Sequence, residues 1–343
     1  MLNFLIRLAE KSILPDILIR IGIRSICYKR LNFIKKQTPD ELETHHQEWI
    51  DRLKVSPIAL VPDKANKQHY EVPAAFFELV LGEKLKYSSG FWPHNINTLD
   101  KSENAMLKLT IERLQIKDNM DILELGCGWG SLTTLLASNY PNSQITAVSN
   151  SHSQHKYIKN KCEDLGYSNV SIITADMNDF NINKKFDRIV SIEMFEHMRN
   201  YEKLLNKCYN LLNEQGKLFV HIFSHKSLIY PFENGGPSDW MAREFFSGGI
   251  MPSHKMLLHF QKDLKIQNVW RISGKHYSKT SLAWLNKMDE NKLLILEIFK
   301  DTYGSNEAKI WFQRWRIFFM SCQELFGINN GTEWGISHYL FTK

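Results

Sequence analysis

Between residues 119 and 223 short apolar runs alternate with segments of helical period. The runs are MDILEL (120–125), QITAVS (144–149), VSIITA (170–175), DRIVSI (187–192) and KLFVHIF (217–223). Their length suits strands, and their near-continuous apolarity suits strands covered on both faces. Helical stretches follow at about 130–138, 151–165 and 201–213. Strands alternating with helices demand right-handed crossovers and a mainly parallel sheet, so the expected fold class is a doubly wound α/β domain.

The flanking regions read differently. Residues 2–11 and 16–31 predict two short amphipathic helices split at Leu14-Pro15, with Pro15 in the first turn of the second. Residues 38–62 are polar and predict a linker or loosely packed lead-in. In the aromatic stretch Gln68–Pro93, the positions Phe76, Phe77, Val80 and Leu81 fit a buried helix face, and 101–116 predicts a further helix. Residues 224–260 lack periodicity and carry Gly235-Gly236-Pro237 and Gly248-Gly249, which predicts a functional loop or small cap. A strand at 265–272, helices at about 278–300 and 305–325, and a closing strand at 335–341 complete the pattern. The expected division is an arm and linker, 1–62, before one domain, 63–343.

On this frame the strongest chemical signal is Glu124-Leu125-Gly126-Cys127-Gly128-Trp129-Gly130-Ser131, directly after a strand and opening a helix. Glycines there let the backbone turn tightly and approach a ligand, and the helix N-terminus offers free amides. A dinucleotide fingerprint would need a third glycine at 131, which is Ser131, and an acid after the second strand, where Val148-Ser149-Asn150 stands. A nicotinamide cofactor is therefore disfavoured.

The fourth strand ends in Ser191-Ile192-Glu193-Met194-Phe195-Glu196-His197-Met198. Open α/β sheets bind ligands beyond the carboxyl ends of their strands, so this segment faces the reacting group. If it opens a helix, Glu193, Glu196 and His197 share one face. Two carboxylates and an imidazole can remove a proton from an ammonium or hydroxyl and stabilise cationic charge; the plain alternative is a helix start with acids in its first turn. His221 and His225 in HIFSH read as satisfied core groups. In GKHYSKTS, which carries His276 and Tyr277, an N-cap role for Ser278 or Thr280 is the simple reading. Trp311, Phe312, Trp315, Phe318 and Phe319 recur at helical spacing and read mostly as core, with one or two free to line a pocket.

Charge narrows the partners. The chain of 343 residues has a net charge of +6, and residues 1–36 hold eight basic and two acidic side chains, so the remainder is neutral. A nucleic-acid partner is excluded on that ground, because the body has no cation excess for phosphates. The arm reads either as a helix pair packed on the domain or as a peripheral membrane contact through residues 1–36. Five cysteines, none in a C-x-x-C pair, indicate neither a zinc site nor a disulfide framework; a reduced, cytoplasmic setting is expected. No apolar run approaches the ~20 residues of a membrane span.

The G-x-G-x-G turn with its preceding acid resembles the first motif of class I S-adenosylmethionine-dependent methyltransferases, which implies a Rossmann-like fold. In that likeness the amino-acid part of S-adenosylmethionine lies over Gly126, Gly128 and Gly130 with Glu124 beside it. Gln154 then takes the ribose and Asp176 the adenine amine. The segments QHYEVP, YSSGFWP, LELGCGWGS, SIEMFEHM, LFVHIFSH, GKHYSKTS and WRIFF…ELFG extend the likeness over nearly the whole chain. They resemble the cyclopropane-fatty-acid synthase superfamily, and SIEMFEHMRNY, FFSGGIMPS and NNGTEW are especially similar to its coclaurine N-methyltransferase-like branch. The resemblance implies N-methylation of a small hydrophobic amine, with Glu193, Glu196 and His197 as the catalytic group and Tyr87 and Ser88 as a cofactor-contacting pair. It also implies an aromatic substrate pocket from the C-terminal helices, for which Tyr277, Trp315 and Phe319 are the candidates. The alternative it carries is modification of unsaturated lipid acyl chains. Cyclopropane synthases hold a bicarbonate with a Cys, a Glu, a His and a Tyr; the matching positions here are Ser89, Glu196, His221 and Tyr277, so the Cys is missing.

Overall fold

The computed structural model describes residues 2–60 and 72–343. Seven strands form the main sheet: β1 (Asp121–Leu125), β2 (Gln144–Ser149), β3 (Val170–Thr174), β4 (Phe186–Ile192), β5 (Leu212–His225), β8 (Lys265–Ser273) and β9 (Trp334–Thr342). Their order is β3-β2-β1-β4-β5-β9-β8. The first five are parallel, while β9 runs antiparallel between β5 and β8. All five predicted central strands are present, and the mostly parallel doubly wound fold is as expected. The chain moves one way from β1 to β3 and the other from β4 to β5, so a crevice opens beyond the carboxyl ends of β1 and β4.

Helices cover both faces. On one, α5 (Leu99–Leu114) and α6 (Ser131–Asn139) bury Leu107, Leu114, Leu132 and Leu136 over Ile122, Val190, Phe219 and Leu340. On the other, α8 (Tyr201–Leu211) places Leu204, Leu205 and Cys208 over Leu123, Ile189 and Val220. The helix α7 (His152–Asp164) follows β2 and packs Ile158 and Cys162 beside Ala147. A separate aromatic core joins α4 (Ala74–Val80), α10 (Gly274–Glu290), α11 (Lys292–Tyr303) and α12 (Ala308–Gly327). The single helix expected over 278–300 is two, broken at Asn291. The 224–260 segment is a cap holding the small β6 (Tyr230–Pro231) and β7 (Ile250–Met251) pair and the short α9 (Trp240–Glu244).

The polar lead-in expected over 38–62 is instead largely helical. Its α3 (Pro39–Val55) opens on a capping box in which Thr38 and Glu41 satisfy each other's backbone N–H. His46, Trp49, Ile50 and Leu53 form an i, i+3, i+4, i+7 stripe and are buried against the sheet's α8 side; the many charges between them mask that stripe in the sequence. The boundary drawn between residues 62 and 63, and residues 68–71 of the QHYEVP segment, lie outside the described residues.

The N-terminal pair, α1 (Leu2–Glu10) and α2 (Asp16–Lys35), packs on α12. Arg20 (2.6 Å) and Arg24 both pair with Glu324, Asp16 accepts from Arg316 (2.7 Å) and Glu10 from Arg314 (3.0 Å). Packing is thus one real role of the basic arm. Its outer face leaves Phe4, Ile13, Ile17, Leu18, Ile21 and Phe33 exposed. Among the described residues no helix is long and apolar enough to cross a membrane.

Candidate active site

The turn after β1 builds the floor of a deep cavity. Gly126, Gly128 and Gly130 all take positive φ, which side chains resist. A Cβ at Gly128 would point into open space, so this residue keeps a cradle clear. Gly130 differs from expectation. It lies outside the cavity wall, caps α6, and a Cβ there would meet Ile158 at 2.9 Å; its role is to let α7 approach.

This first cavity encloses about 1100 Å³, its solvent mouth included. Tyr87, Ser88, Glu124, Gly126, Gly128, Gln154 and Asp176 line it, so seven of the eight positions assigned to the cofactor come together. Gln154 is buried; its Oε1 accepts from Ser149 Oγ (2.6 Å), while its Nε2 has no partner among the described residues. Asp176 accepts from the Asn178 N–H at 2.7 Å, and Glu124 accepts from Thr133 Oγ1 at 2.6 Å. Burial pushes the Glu124 carboxyl up to about 7. An open amide, two carboxylates and a bare glycine turn suit a ligand with hydroxyls, amines and one carboxylate. That donor set fits S-adenosylmethionine.

Two features at or behind the wall escaped the sequence reading. Trp129 forms part of the wall, its ring 5.0 Å from Phe77 and its indole N–H without a partner among the described residues. Lys86 is fully buried and donates to Ser88 Oγ and to the Ser89 carbonyl (2.9 Å), its ammonium pulled down to about 8 by burial. No periodicity marks a single buried lysine.

A second cavity of about 740 Å³ adjoins the first, and Tyr87, Glu193 and His197 line both. Its other walls are mainly aromatic, with Phe223, Phe232, Phe246, Tyr277, Trp284, Phe318 and Phe326, and Glu196 is its further acid. Tyr277 is therefore placed as expected. Trp315 and Phe319 are not: both are fully buried beside this wall, Trp315 4.8 Å from Phe76 and Phe319 5.7 Å from Trp284. The stripe of α12 that meets the cavity is Phe318, Ser321, Cys322 and Leu325. Helical spacing identifies apolar positions but not which of two adjacent stripes is the lining one.

The acid–acid–His group assembles in an unexpected way. Glu193 takes φ +49 at the end of β4, and only Phe195–His197 form a short 3-10 turn, so the three do not share a helix face. Glu193 Oε1 accepts from the Ser89 N–H (3.2 Å) and stands 3.2 Å from His221 Nε2, while Oε2 accepts from Tyr277 Oη at 2.5 Å. His221 is thus part of the site rather than plain core, whereas His225 accepts from the N–H groups of Ser227 and Leu228 as a core histidine does. Ser278 and Thr280 cap nothing: Ser273 caps α10, and Thr280 Oγ1 accepts from Gly90 N and Trp92 Nε1.

Glu196 is buried, and its Oε2 has no partner among the described residues. Burial pushes both carboxyls up, Glu196 further because of the Glu193 charge. Two adjacent buried carboxyls do not both ionise easily. Glu193, with its donors and Lys86 near, takes the charge, and Glu196 retains the proton in the resting site. Burial holds the His197 imidazole down to about 4, so it is neutral near pH 7, and its ring lies 4.7 Å from that of Phe246.

Residues 61–333 match the family model described as mycolic acid cyclopropane synthetase. The chain belongs to that family. It is 38% identical to (S)-coclaurine N-methyltransferase of Papaver somniferum, over 99% of this chain and 97% of that one. A solved structure of coclaurine N-methyltransferase bound to N-methylheliamine and SAH superposes with a TM-score of 0.95 at 37% identity, covering 99% of both chains. Cyclopropane-fatty-acyl-phospholipid synthase of Escherichia coli strain K12 is 31% identical over 64% of this chain and 55% of that one. The protein is an S-adenosylmethionine-dependent methyltransferase, with that cofactor.

Proposed function

We propose that this methyltransferase transfers its methyl group to the nitrogen of a small hydrophobic amine, as the likeness to coclaurine N-methyltransferase along the full chain supports. One observation carries the reading: the two cavities meet at Tyr87, Glu193 and His197, so an acceptor in the aromatic pocket abuts buried carboxyls beside the cofactor cavity. Aromatic walls with two acids recognise a flat cationic molecule, by ring contact and by charge.

When bound, S-adenosylmethionine supplies an electrophilic methyl on a sulfonium. In the proposed roles Gln154 donates to a ribose hydroxyl, Asp176 accepts from the adenine amine, and Tyr87 and Ser88 bound the methyl end, with Glu124 and the 126–128 turn around the amino-acid part. Glu193 stays ionised and attracts the acceptor's ammonium. The positive charge of the arriving ammonium drives Glu196 to release its own proton to solvent as the amine binds, so its Oε2 then accepts the ammonium proton as the nitrogen lone pair is freed. The freed lone pair would face the methyl group that the cofactor supplies, with the ammonium proton held on Glu196. Holding the two reactants in contact contributes most of the acceleration. His197, neutral, walls the junction and offers a second acceptor for the proton.

The lipid alternative is weaker. Three of the four positions matched to bicarbonate ligands meet the Glu193 carboxylate instead, Ser89 through its backbone N–H and His221 and Tyr277 through their side chains. A tethered carboxylate stands where a free anion would sit. Methyl-labelled S-adenosylmethionine offered with hydrophobic secondary amines and with unsaturated phospholipid vesicles tests the choice: label on nitrogen is expected, and label in acyl chains alone overturns it.

The outer face of α1 and α2, with its exposed apolar residues beside Arg7, Lys11, Lys29, Lys35 and Lys36, supports a peripheral contact with anionic membranes from a reducing, cytoplasmic side. Co-sedimentation with phosphatidylglycerol vesicles, lost on deleting residues 1–36, is the expected result; full-length protein left in the supernatant refutes it.

A further inference from the structure

Behind Glu193 runs a buried chain of hydrogen-bonding groups that crosses two strands. His221 Nε2 stands 3.2 Å from Glu193 Oε1, His221 Nδ1 2.9 Å from His338 Nε2, and His338 Nδ1 2.6 Å from a terminal nitrogen of Arg113. His221 on β5 and His338 on β9 are direct cross-strand partners, with ring centroids 4.6 Å apart, and both are fully buried. Arg113, in the last turn of α5, lies over the Trp270 ring at 4.6 Å and is only half-buried.

The chain has one consistent direction. A guanidinium donates and cannot accept. Arg113 therefore donates to His338 Nδ1, so neutral His338 carries its hydrogen on Nε2 and donates to His221 Nδ1. His221 then carries its hydrogen on Nε2 and donates to Glu193 Oε1. Reversing any link would set two donors or two acceptors against each other. With Tyr277 Oη donating to Oε2, both oxygens of Glu193 are offered hydrogens, and the ionised form is the one that uses them all.

We propose that Arg113 and His338 are positioning residues that fix the tautomer of His221 and thereby hold Glu193 as the anion. Without Arg113 the two imidazoles are free to reverse, and His221 can then accept from a protonated Glu193. The polarity also bars this route as a proton exit, because Glu193 meets a nitrogen that already carries hydrogen.

Other charges act on the same groups. Glu193 is faced by Lys86 from the segment before α5, by Tyr277 from α10 and Cys322 from α12, and by Glu196 and His197 from its own turn, while Tyr87 acts on Tyr277. The two histidines feel Lys86 as well as Arg113, and with burial these hold both well below the usual imidazole range. Neutral rings are what the chain requires.

The inference rests on the proposed role of Glu193, but its first test does not. In ¹⁵N-histidine-labelled full-length protein, His221 and His338 should both show the neutral Nε2–H tautomer without titrating between pH 5.5 and 9, assigned by His338→Asn. An Nδ1–H tautomer or a protonated ring at either position overturns the proposal whatever the substrate proves to be. The second test is the acid limb of kcat/KM. Arg113→Met should move that limb to higher pH by about one unit, roughly a tenfold loss at pH 6.5 that fades by pH 8.5, with cofactor affinity unchanged. Arg113→Lys, which keeps a donor, should restore the limb. A purely structural Arg113 would lower activity evenly across pH, and that outcome also refutes the assignment.

Discussion

Tyr277 Oη donates to Glu193 Oε2 across 2.5 Å and so ties α10 to the turn at the end of β4. The tyrosine ring is stacked on Phe326 with centroids 4.4 Å apart and planes 19° apart, which fixes where the hydroxyl points. Burial, together with the Glu193 charge, holds the phenol well above its usual range, so it remains a donor throughout the working pH range. The C-terminal helices thus hold an acid on the sheet as well as shaping the pocket.

Tyr277→Phe removes that donor and little volume. A hydrogen bond to a charged group contributes about 1.5–3 kcal/mol, so kcat should fall roughly 10- to 100-fold while the cofactor dissociation constant stays within about twofold of wild type. Steady-state kinetics beside calorimetric titration of S-adenosylhomocysteine checks both. An unchanged kcat would remove Tyr277 from the site's working parts.

Glu196 and His197 separate by their protonation states. Glu196→Gln keeps the shape but cannot accept a proton, and a loss of about 10²–10⁴ in kcat is expected. His197→Ala opens the wall beside Phe246 and should mainly raise the KM for the amine. A large kcat loss in His197→Ala with kcat kept in Glu196→Gln would show that the imidazole, not Glu196, takes the proton.

Much of this arrangement was legible in the sequence, for identifiable reasons. Strands covered on both faces print nearly continuous apolar runs, and the glycine turn after β1 prints its own spacing, so the sheet and that turn could be placed from the residues, while Tyr87, Ser88, Gln154 and Asp176 were reached only through the family resemblance. What escaped depends on contacts between distant segments. His221 and His338 are 117 residues apart and meet only because β5 pairs with β9. Lys86 acquires its meaning from burial among Glu103, Glu124 and Glu193, which no local pattern signals. The choice between two neighbouring stripes of α12 likewise belongs to packing, and that is where Trp315 and Phe319 departed from expectation.

Gln154 offers a clean probe of cofactor recognition. Its Nε2 is buried without a partner among the described residues, so a ligand hydroxyl there gains a hydrogen bond at little cost in ordering. Gln154→Ala should raise the S-adenosylmethionine dissociation constant about tenfold, about 1.4 kcal/mol, with kcat at saturating cofactor close to wild type. Unaltered affinity would place the ribose elsewhere.

Glu124 should leave its mark on stability. Its folded carboxyl is pushed up to about 7 by burial, so the folded state binds that proton more tightly than the unfolded chain does. Stability from this group is full at acid pH and is lost as pH rises between about 4.5 and 7. Glu124→Gln stays neutral, so its unfolding free energy should gain on wild type by up to roughly 3 kcal/mol across that window. Urea unfolding at pH 4.5 and 7 measures the change, and a gap that does not vary with pH contradicts it.

The Glu193 position permits a chemical-rescue experiment. Its φ of +49 is a conformation glycine adopts freely, so Glu193→Gly should relieve backbone strain and fold. It would leave three donors, the Ser89 N–H, His221 Nε2 and Tyr277 Oη, around an anion-sized vacancy. Wild type should be indifferent to bicarbonate, since its carboxylate is already tethered there. The glycine variant should lose at least about tenfold in kcat, as a hydrogen-bonded buried charge is removed. Added bicarbonate or formate should then restore part of that loss, saturably and more at a pH where the anion predominates. If neither anion rescues turnover, the three donors do not form an anion seat, and the reading of Glu193 as a tethered replacement for a free anion falls.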